Sequence, residues 1–171
     1  IIFIMIFFSN SKKSTFTLND QVFEGKYQNN KGFIKINNLK LMGYNKTGTP
    51  YQLTADSAIK EKKSIDEIIL YKVKADIFLN NKDWLFLNTE QATYQISKKT
   101  LRTSYKIQGY YDDGSSFSSP SMEYNFDTGT AKSEEGIVMY GKWGNIKSKG
   151  FSFNSIKDIY RFYGEAVMIV K

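Results

Sequence analysis

Apolar and polar side chains alternate along most of the chain from about Thr15 onward. The alternation is clearest in Phe33–Ile36, Leu39–Leu41, Leu101–Ile107 and Gly150–Phe153. A period of two places successive side chains on opposite faces of a strand, so each of these segments predicts a β-strand with one buried face.

Short polar segments rich in Gly, Asn and Asp interrupt this alternation at intervals that suit hairpins of short strands. These predicted turns are Asn29–Gly32, Lys46–Gly48, Asn80–Asp83, Asp112–Gly114 and Asp127–Gly129. Beyond the amino end, only Asp56–Lys63 has a plausible helical pattern, of about two turns at most. The pattern therefore predicts an all-β domain.

An internal repeat runs through the predicted strands. Leu39–Tyr51 aligns without gaps with Tyr105–Phe117 at an offset of 66, a weaker copy lies between them, and a fourth unit covers Val138–Phe153. Residues that open successive strands are spaced by 34 and then 30 positions: Leu53, Leu87 and Phe117. A repeat of near 30 residues, with two or three strands each, predicts stacked hairpins around a shared apolar face, in an elongated roll with open edges.

The two ends of the chain are apolar. Glu165–Lys171 predicts a poorly protected edge strand, which is either an aggregation hazard or a docking edge for another β-protein. Ile1–Phe8 is uninterrupted hydrocarbon but is too short to span a bilayer, which needs about 20 residues. We expect it to be the end of a membrane anchor, because no small-x-small cleavage site follows Phe8; a signal peptide and a buried strand are the alternatives.

The composition disfavours most enzyme classes. The chain has 171 residues, 41% of them hydrophobic, which is enough for one domain with a core, and it contains no Cys and no His. Thiolate nucleophiles, Ser–His–Asp triads and most zinc or iron sites are therefore excluded. The net charge of +7 comes almost wholly from Lys, which fits an anionic partner or a biased composition and argues against base-specific nucleic-acid binding.

Paired carboxylates are the remaining catalytic candidates, since a dyad can carry out glycosidase chemistry without His. Asp112-Asp113 and Glu134-Glu135 both precede a Gly, so we interpret them as turn residues. No calcium-loop pattern occurs either. We predict a protein that is not an enzyme and that uses no cofactor or metal.

A series of short segments carries a resemblance to a known family. In chain order they are Tyr44–Gly48, Tyr51–Ala58, Val73–Asp76, Asn88–Tyr94, Met139–Gly141, Lys149–Phe151 and Phe162–Val167. In this order, from Leu39 to Val170, the chain resembles the LptC family, the membrane-anchored periplasmic component of the lipopolysaccharide-export bridge. The related soluble bridge family, LptA, shares the fold and the repeat.

The resemblance implies an elongated, twisted, open β-jellyroll of stacked antiparallel hairpin repeats, preceded by the end of a transmembrane helix. We expect an anchor at 1–9, a linker and first strand at 10–31, and a periplasmic domain at 32–171, on a single-pass protein of the inner membrane. The implied partners are lipopolysaccharide, the inner-membrane Lpt ABC transporter complex, and LptA at a carboxyl-terminal edge that includes Glu165, Val167 and Ile169. Gly48 and Gly141 match structural glycines of the family.

The same resemblance implies an apolar groove for acyl chains, and strand alternation supplies its lining. The predicted lipid-binding residues are Leu53, Ile69, Val73, Ile77, Leu87, Ile107, Phe117, Tyr124 and Phe153. Alternating apolar residues ordinarily fill a dry core, but in an open roll the core and the groove coincide. Lys72, Lys74 and Lys106 alternate with them and either meet lipid phosphates or form the solvated face.

Three alternatives stay open at this point. One is a soluble LptA-like bridge protein. Another is a secreted carbohydrate-binding or adhesive β-domain, in which Trp84 and Trp143 would be sugar platforms. A glycosidase that works with two carboxylates is the third.

Overall fold

The computed structural model describes residues 13–79 and 83–171, and every regular element within them is a β-strand. The strands are β1 (Ser14–Leu18), β2 (Gln21–Asn29), β3 (Phe33–Tyr44), β4 (Pro50–Glu61), β5 (Glu67–Phe78), β6 (Trp84–Gln95), β7 (Thr100–Thr103), β8 (Ile107–Tyr111), β9 (Ser116–Ser119), β10 (Met122–Asn125), β11 (Thr130–Ser133), β12 (Ile137–Gly141), β13 (Gly144–Ser148), β14 (Gly150–Asn154), β15 (Ile159–Tyr163) and β16 (Val167–Val170). All pairs are antiparallel, which confirms the predicted all-β fold.

The predicted membrane anchor, 1–9, lies outside the described residues. Within those residues, no helix is long and apolar enough to cross a bilayer. The segment predicted as a linker and first strand contributes two strands, β1 and β2, which pair with each other and with β3. Phe23 of β2 is fully buried, so this hairpin is part of the domain.

The sheet forks at β6. Strands β1 to β6 follow one another as neighbours; the first half of β6 then pairs with β8 and its second half with β7. Beyond the fork, β7, β10, β11, β14 and β15 form one layer, called layer A, and β8, β9, β12, β13 and β16 form layer B. The layers face each other, as the contact of Phe117 with Phe151 at 6.3 Å between ring centroids illustrates. Since β15 and β16 each have one neighbour, the jellyroll is open.

Each of the long strands β3 to β6 bends from one layer into the other. At the bend the alternation slips, so that two residues instead of one separate consecutive buried positions. The pairs on either side of the slip are Ile36 and Leu39, Ala55 and Ala58, Leu70 and Val73, and Thr89 and Ala92. Asn38 and Lys72 lie in the slip with left-handed φ values of +53° and +52°. Like a β-bulge, the slip keeps one face inward after the strand has turned.

This bend explains two places where the structure departs from the local sequence pattern. Asp56–Lys63 is not a helix, because most of it belongs to β4; the spacing of three between Ala55 and Ala58 only imitates helical periodicity. Ile69 is half-buried on the outer face. Alternation extended back from Val73 would place Ile69 inward, but the slip at Lys72 exchanges the two faces.

The predicted continuous strand Leu101–Ile107 is likewise divided, at Ser104–Lys106, into β7 of layer A and β8 of layer B. Thr103 stabilises the turn: its hydroxyl donates to the carbonyl of Gln91 at 2.6 Å and accepts from the backbone N–H of Tyr105 at 3.0 Å. In this half of the molecule the chain changes layer through short turns and not through bent strands.

The carboxyl-terminal half repeats with the predicted period. β8, β12 and β16 begin at residues 107, 137 and 167, and β7, β11 and β15 begin at residues 100, 130 and 159. A full unit contains four short strands, two in each layer, so the predicted content of two or three strands is wrong. Each unit lengthens both layers, which is why the roll is elongated.

The glycine and the aromatic residue of the repeat lie directly opposite each other on paired strands. Gly43 pairs with Tyr51, and Gly109 pairs with Phe117. In both pairs the aromatic ring fills the space that a side chain on the glycine would occupy. The repeated pattern therefore records a packing requirement of the inner face, since a close-packed interior leaves no room for both groups.

We expect Gly109→Ala to lower the free energy of unfolding by about 1–3 kcal/mol, because its Cβ overpacks against the Phe117 ring. In a Phe117→Leu background the same change should cost clearly less. Gly48→Ala is the control: it has open space and a φ of +81°, so it should cost about 1 kcal/mol in either background. Denaturant unfolding measures all of these values, and an equal cost of Gly109→Ala in both backgrounds would contradict the packing explanation.

Candidate functional site

The interior between the two layers contains most of the residues predicted to contact lipid. Eight of the nine are buried side chains of one apolar cluster: Leu53, Val73, Ile77, Leu87, Ile107, Phe117, Tyr124 and Phe153. Ile69 is the exception, as described above. The structure shows that these eight side chains point into the same interior. Their contact with a lipid remains a prediction.

A buried polar network closes the first half of the interior, which is the part enclosed mainly by β2 to β6. Gln21 is fully buried on β2, and its amide donates to the carbonyl of Ile96 at 3.0 Å. Its side-chain oxygen accepts from the hydroxyls of Tyr94 and Tyr51. Burial raises the pKa of Tyr51 to about 12 and that of Tyr94 further, so both hydroxyls stay protonated and available as donors.

Backbone contacts reinforce the closure on the same side of the roll. The N–H of Lys46, in the β3–β4 turn of layer B, donates to the carbonyl of Asp127 in the β10–β11 turn of layer A at 3.1 Å. Phe126 in that turn stacks on Tyr51 with ring centroids 4.5 Å apart. The side of the first half that faces away from the bend is therefore sealed.

The second half of the interior is filled by large apolar side chains. Those that face one another there include Leu87, Phe117, Tyr124, Met139, Phe151 and Phe153, and the free space among them is about 10 Å³. A single water molecule needs roughly that volume. The space can admit an acyl chain only if the layers separate or these side chains move.

On the side away from the bend, the layers part in this second half and leave a cavity of about 470 Å³, here called the mouth. The apolar wall of the mouth consists of Met139, Ile146, Phe162 and Met168, and Trp143 is half-buried at its edge. Asp83, Asp112 and Asp113 stand at the rim. The mouth connects the packed interior with solvent.

A hydrogen bond between two tyrosines joins the two layers across the mouth. The hydroxyl of Tyr160 on β15 donates to the hydroxyl of Tyr111 on β8 at 3.2 Å. Burial raises the pKa of both tyrosines above the ordinary value, so both are protonated at neutral pH. A hydrogen bond of this kind is worth only about 1 kcal/mol, whereas several hydrogen bonds join the layers on the sealed side.

The open end of the roll exposes apolar side chains of β16. Val167, Met168, Ile169 and Val170 are 53–69% exposed. The register with β13 places Met168 opposite the buried Ile146, so Met168 and, two residues on, Val170 continue the inner face, while Val167 and Ile169 point outward. Glu165 lies in the preceding turn and forms an exposed ion pair with Lys149 at 2.6 Å.

The two predicted structural glycines have different roles. Gly48 has a φ of +81° in the β3–β4 turn and donates its N–H to the carbonyl of Asn45 at 2.9 Å. Gly141 ends β12, and a Cβ there would collide with the indole of Trp143. A side chain at Gly141 would therefore displace an aromatic group at the mouth.

The paired acids are turn residues, as predicted. Asp113 accepts hydrogen bonds from the backbone N–H and hydroxyl of Ser115 at 2.7 and 3.1 Å, and Glu134 accepts from Tyr163 at 3.1 Å. In the parts of the chain that the structure describes, no three acidic side chains gather in a way that would hold a metal ion. Lys72, Lys74 and Lys106 are exposed and point away from the interior.

Sequence reasoning missed Gln21, the Tyr111–Tyr160 pair and the inward position of Met168 and Val170. The last of these had a signal, because alternation traced from the buried strands into β16 distinguishes the two faces. Gln21 and the tyrosine pair had none, since they depend on which strands meet across the layers.

A family model described as "Lipopolysaccharide-assembly, LptC-related" matches residues 1–166. No curated protein matches the chain.

We expect Tyr160→Phe to loosen the mouth with little change in the free energy of unfolding, because it removes one partly exposed hydrogen bond. In a Trp84→Phe background, Trp143 is the remaining tryptophan and reports on the mouth. Acrylamide should quench the fluorescence of Trp143 more strongly in the Tyr160→Phe variant than in the parent. Tyr163→Phe, on the outer face of the same strand, should leave the quenching unchanged; equal quenching in all three proteins would rule out the proposed weak point.

Proposed function

Because the chain belongs to the LptC family of lipopolysaccharide-assembly proteins, we propose that it binds lipopolysaccharide with the acyl chains between layers A and B and passes it on without catalysing a reaction. The observation that carries the proposal is the mouth, which gives a single apolar interior an opening to one side. At its rim, the Tyr160–Tyr111 hydrogen bond joins the two layers.

The energetics favour such a site. Burying an acyl chain stabilises the complex by about 0.8 kcal/mol per CH₂, so several chains need only an apolar lining. The cost is the separation of a packed interior that has about 10 Å³ of free space. Separation would occur at the mouth, since the first half is held by the Gln21 network and the Lys46–Asp127 hydrogen bond.

The open end suits transfer to a second jellyroll. β16 pairs on one side only, so its other edge can accept an added strand of a partner. A partner jellyroll aligned on this edge would cover Met168 and Val170 and continue the inner face. We propose LptA as this partner, with Glu165, Val167 and Ile169 at the outer side of the contact.

The remaining parts of the proposal concern location. We propose that residues 1–9 end an inner-membrane anchor and that the jellyroll works in the periplasm beside the Lpt ABC transporter complex. ATP hydrolysis in that complex would drive the lipid, and this chain would provide the apolar path. The family match and the apolar sequence of Ile1–Phe8 support this arrangement.

Photo-crosslinking tests the lipid site. A photoreactive phenylalanine analogue at Phe117 or Phe162 should capture lipopolysaccharide, because these side chains line the interior and the mouth. The control is Ile69, which is as half-buried as Phe162 but lies on the outer face. Capture at Ile69 with none at the two inner positions would overturn the proposed site.

Truncation and substitution test the docking edge. Deleting Glu165–Lys171 should abolish binding to LptA with the unfolding transition largely retained, since β13 is the only described strand that pairs with β16. Met168→Glu should weaken binding at least about tenfold by burying a charge at the joint. Val167→Glu, on the outer face, should have a smaller effect. Undiminished binding after the deletion would remove this edge from the proposal.

A further inference from the structure

The outer face of layer B, with the parts of β3 and β5 that extend it, carries exposed aromatic side chains. Tyr44, Trp84, Tyr110 and Tyr140 are 62, 42, 43 and 55% exposed. The solvated face of a half-buried sheet is ordinarily polar, and grouped apolar side chains on a surface mark interaction sites. The exposure of these aromatic side chains therefore calls for an explanation.

Strand pairing places these residues together. Phe78 pairs with Trp84 at 3.6 Å between ring centroids, and Phe86 pairs with Tyr110 at 6.3 Å. Ser116 pairs with both Tyr110 and Tyr140, and so links the two tyrosines across β9. With strands about 4.8 Å apart, the span from β6 to β12 is about 14 Å. We call Phe78, Trp84, Phe86, Tyr110 and Tyr140 the aromatic row.

Hydrogen-bonding side chains lie among the rings. Asn88 and Gln108 form the next cross-strand pair beside Phe86 and Tyr110, and Asn145 pairs with Tyr140. Among the described residues, none forms a hydrogen bond with the hydroxyl of Tyr110 or of Tyr140. The surface thus combines flat ring faces with amide and hydroxyl groups that remain available to a ligand.

Positive charge flanks the aromatic row on one side. Lys40, Lys74 and Lys147 lie in the neighbouring row, where Lys40 and Lys74 both pair with Thr54 and Lys147 pairs with Val138. Two carboxylates share the face: Glu24, which is paired with Lys13 at 2.6 Å, and Asp76, opposite Phe86. On the other side of the aromatic row, Asp83, Asp112 and Asp113 stand at the rim of the mouth. A ligand that matches the lysine side of this face carries negative charge there, together with ring surfaces for the aromatic row.

The aromatic row borders the mouth. Tyr110 points outward while the next residue, Tyr111, lines the mouth, and Tyr140 comes directly before the turn that carries Trp143. A molecule held by its acyl chains in the mouth would have its polar part at the rim of layer B. The row is the apolar surface that this polar part meets first on the outer side.

We propose that the aromatic row binds the phosphorylated oligosaccharide of lipopolysaccharide while its acyl chains occupy the interior. Sugar rings present C–H groups to the negative faces of aromatic rings, amides and hydroxyls bond to sugar hydroxyls, and lysines pair with phosphates. A bilayer fits the row less well, because amide and hydroxyl side chains interrupt it. This inference rests on the proposed function for the identity of the ligand.

The test uses the lipid-free oligosaccharide released from lipopolysaccharide by mild acid, titrated into the full chain by calorimetry. Tyr110→Ala and Tyr140→Ala should each weaken binding at least about fivefold, and Lys74→Gln should weaken it and reduce its dependence on salt. Tyr105→Ala is the matched control, since Tyr105 is 48% exposed but lies at the bend, away from the row. Its affinity should equal that of the parent protein.

Two further ligands separate the possible failures. Lipid A without the oligosaccharide should bind to the Tyr110→Ala variant as tightly as to the parent protein. If the oligosaccharide binds and lipid A does not, the interior site is refuted but the aromatic row is supported. Lipid A binding with no oligosaccharide binding, or with oligosaccharide binding unchanged in Tyr110→Ala and Tyr140→Ala, would overturn the inference. So would binding of anionic phospholipid vesicles that these variants lose, if the oligosaccharide does not bind.

Discussion

The molecule depends on an antiparallel sheet that folds over an apolar interior without closing on itself. Each strand from β1 to β6 pairs with the next, and pairing continues along both layers, yet β15 and β16 each keep one free edge. A closed barrel would have satisfied those edges and fixed the interior volume. Here, contacts between the two layers are what keep the interior closed.

Those contacts are unequal along the roll. The first half is sealed by the buried Gln21 amide and by a backbone hydrogen bond between turns of the two layers. The second half has Tyr160 bonded to Tyr111 across the mouth. An apolar ligand would therefore enter beside the carboxyl-terminal units and leave the amino-terminal end intact. The same asymmetry places the entry next to the open edge of β16, where a partner would continue the inner face.

Local pattern was enough to predict strands, turns and the period near 30 residues, because each follows from alternation or turn chemistry in neighbouring residues. It failed where a strand bends: Ile69 and Asp56–Lys63 were misjudged because the slip at Lys72 and Asp56 depends on the strand changing layer. Gln21 and Tyr160 were missed because their partners are 75 and 49 residues away in the chain. The mouth itself arises from the pairing of layers, which no single segment encodes.

The central claim is that the layers separate at the mouth to admit acyl chains. The most direct measurement is the distance between spin labels at Arg161, on the outer face of β15, and Lys142, in the β12–β13 turn, with and without lipopolysaccharide. Both side chains are exposed, so labels there leave the interior unchanged. The account predicts a longer distance when lipid is bound. An unchanged distance in a complex with bound lipid would contradict it.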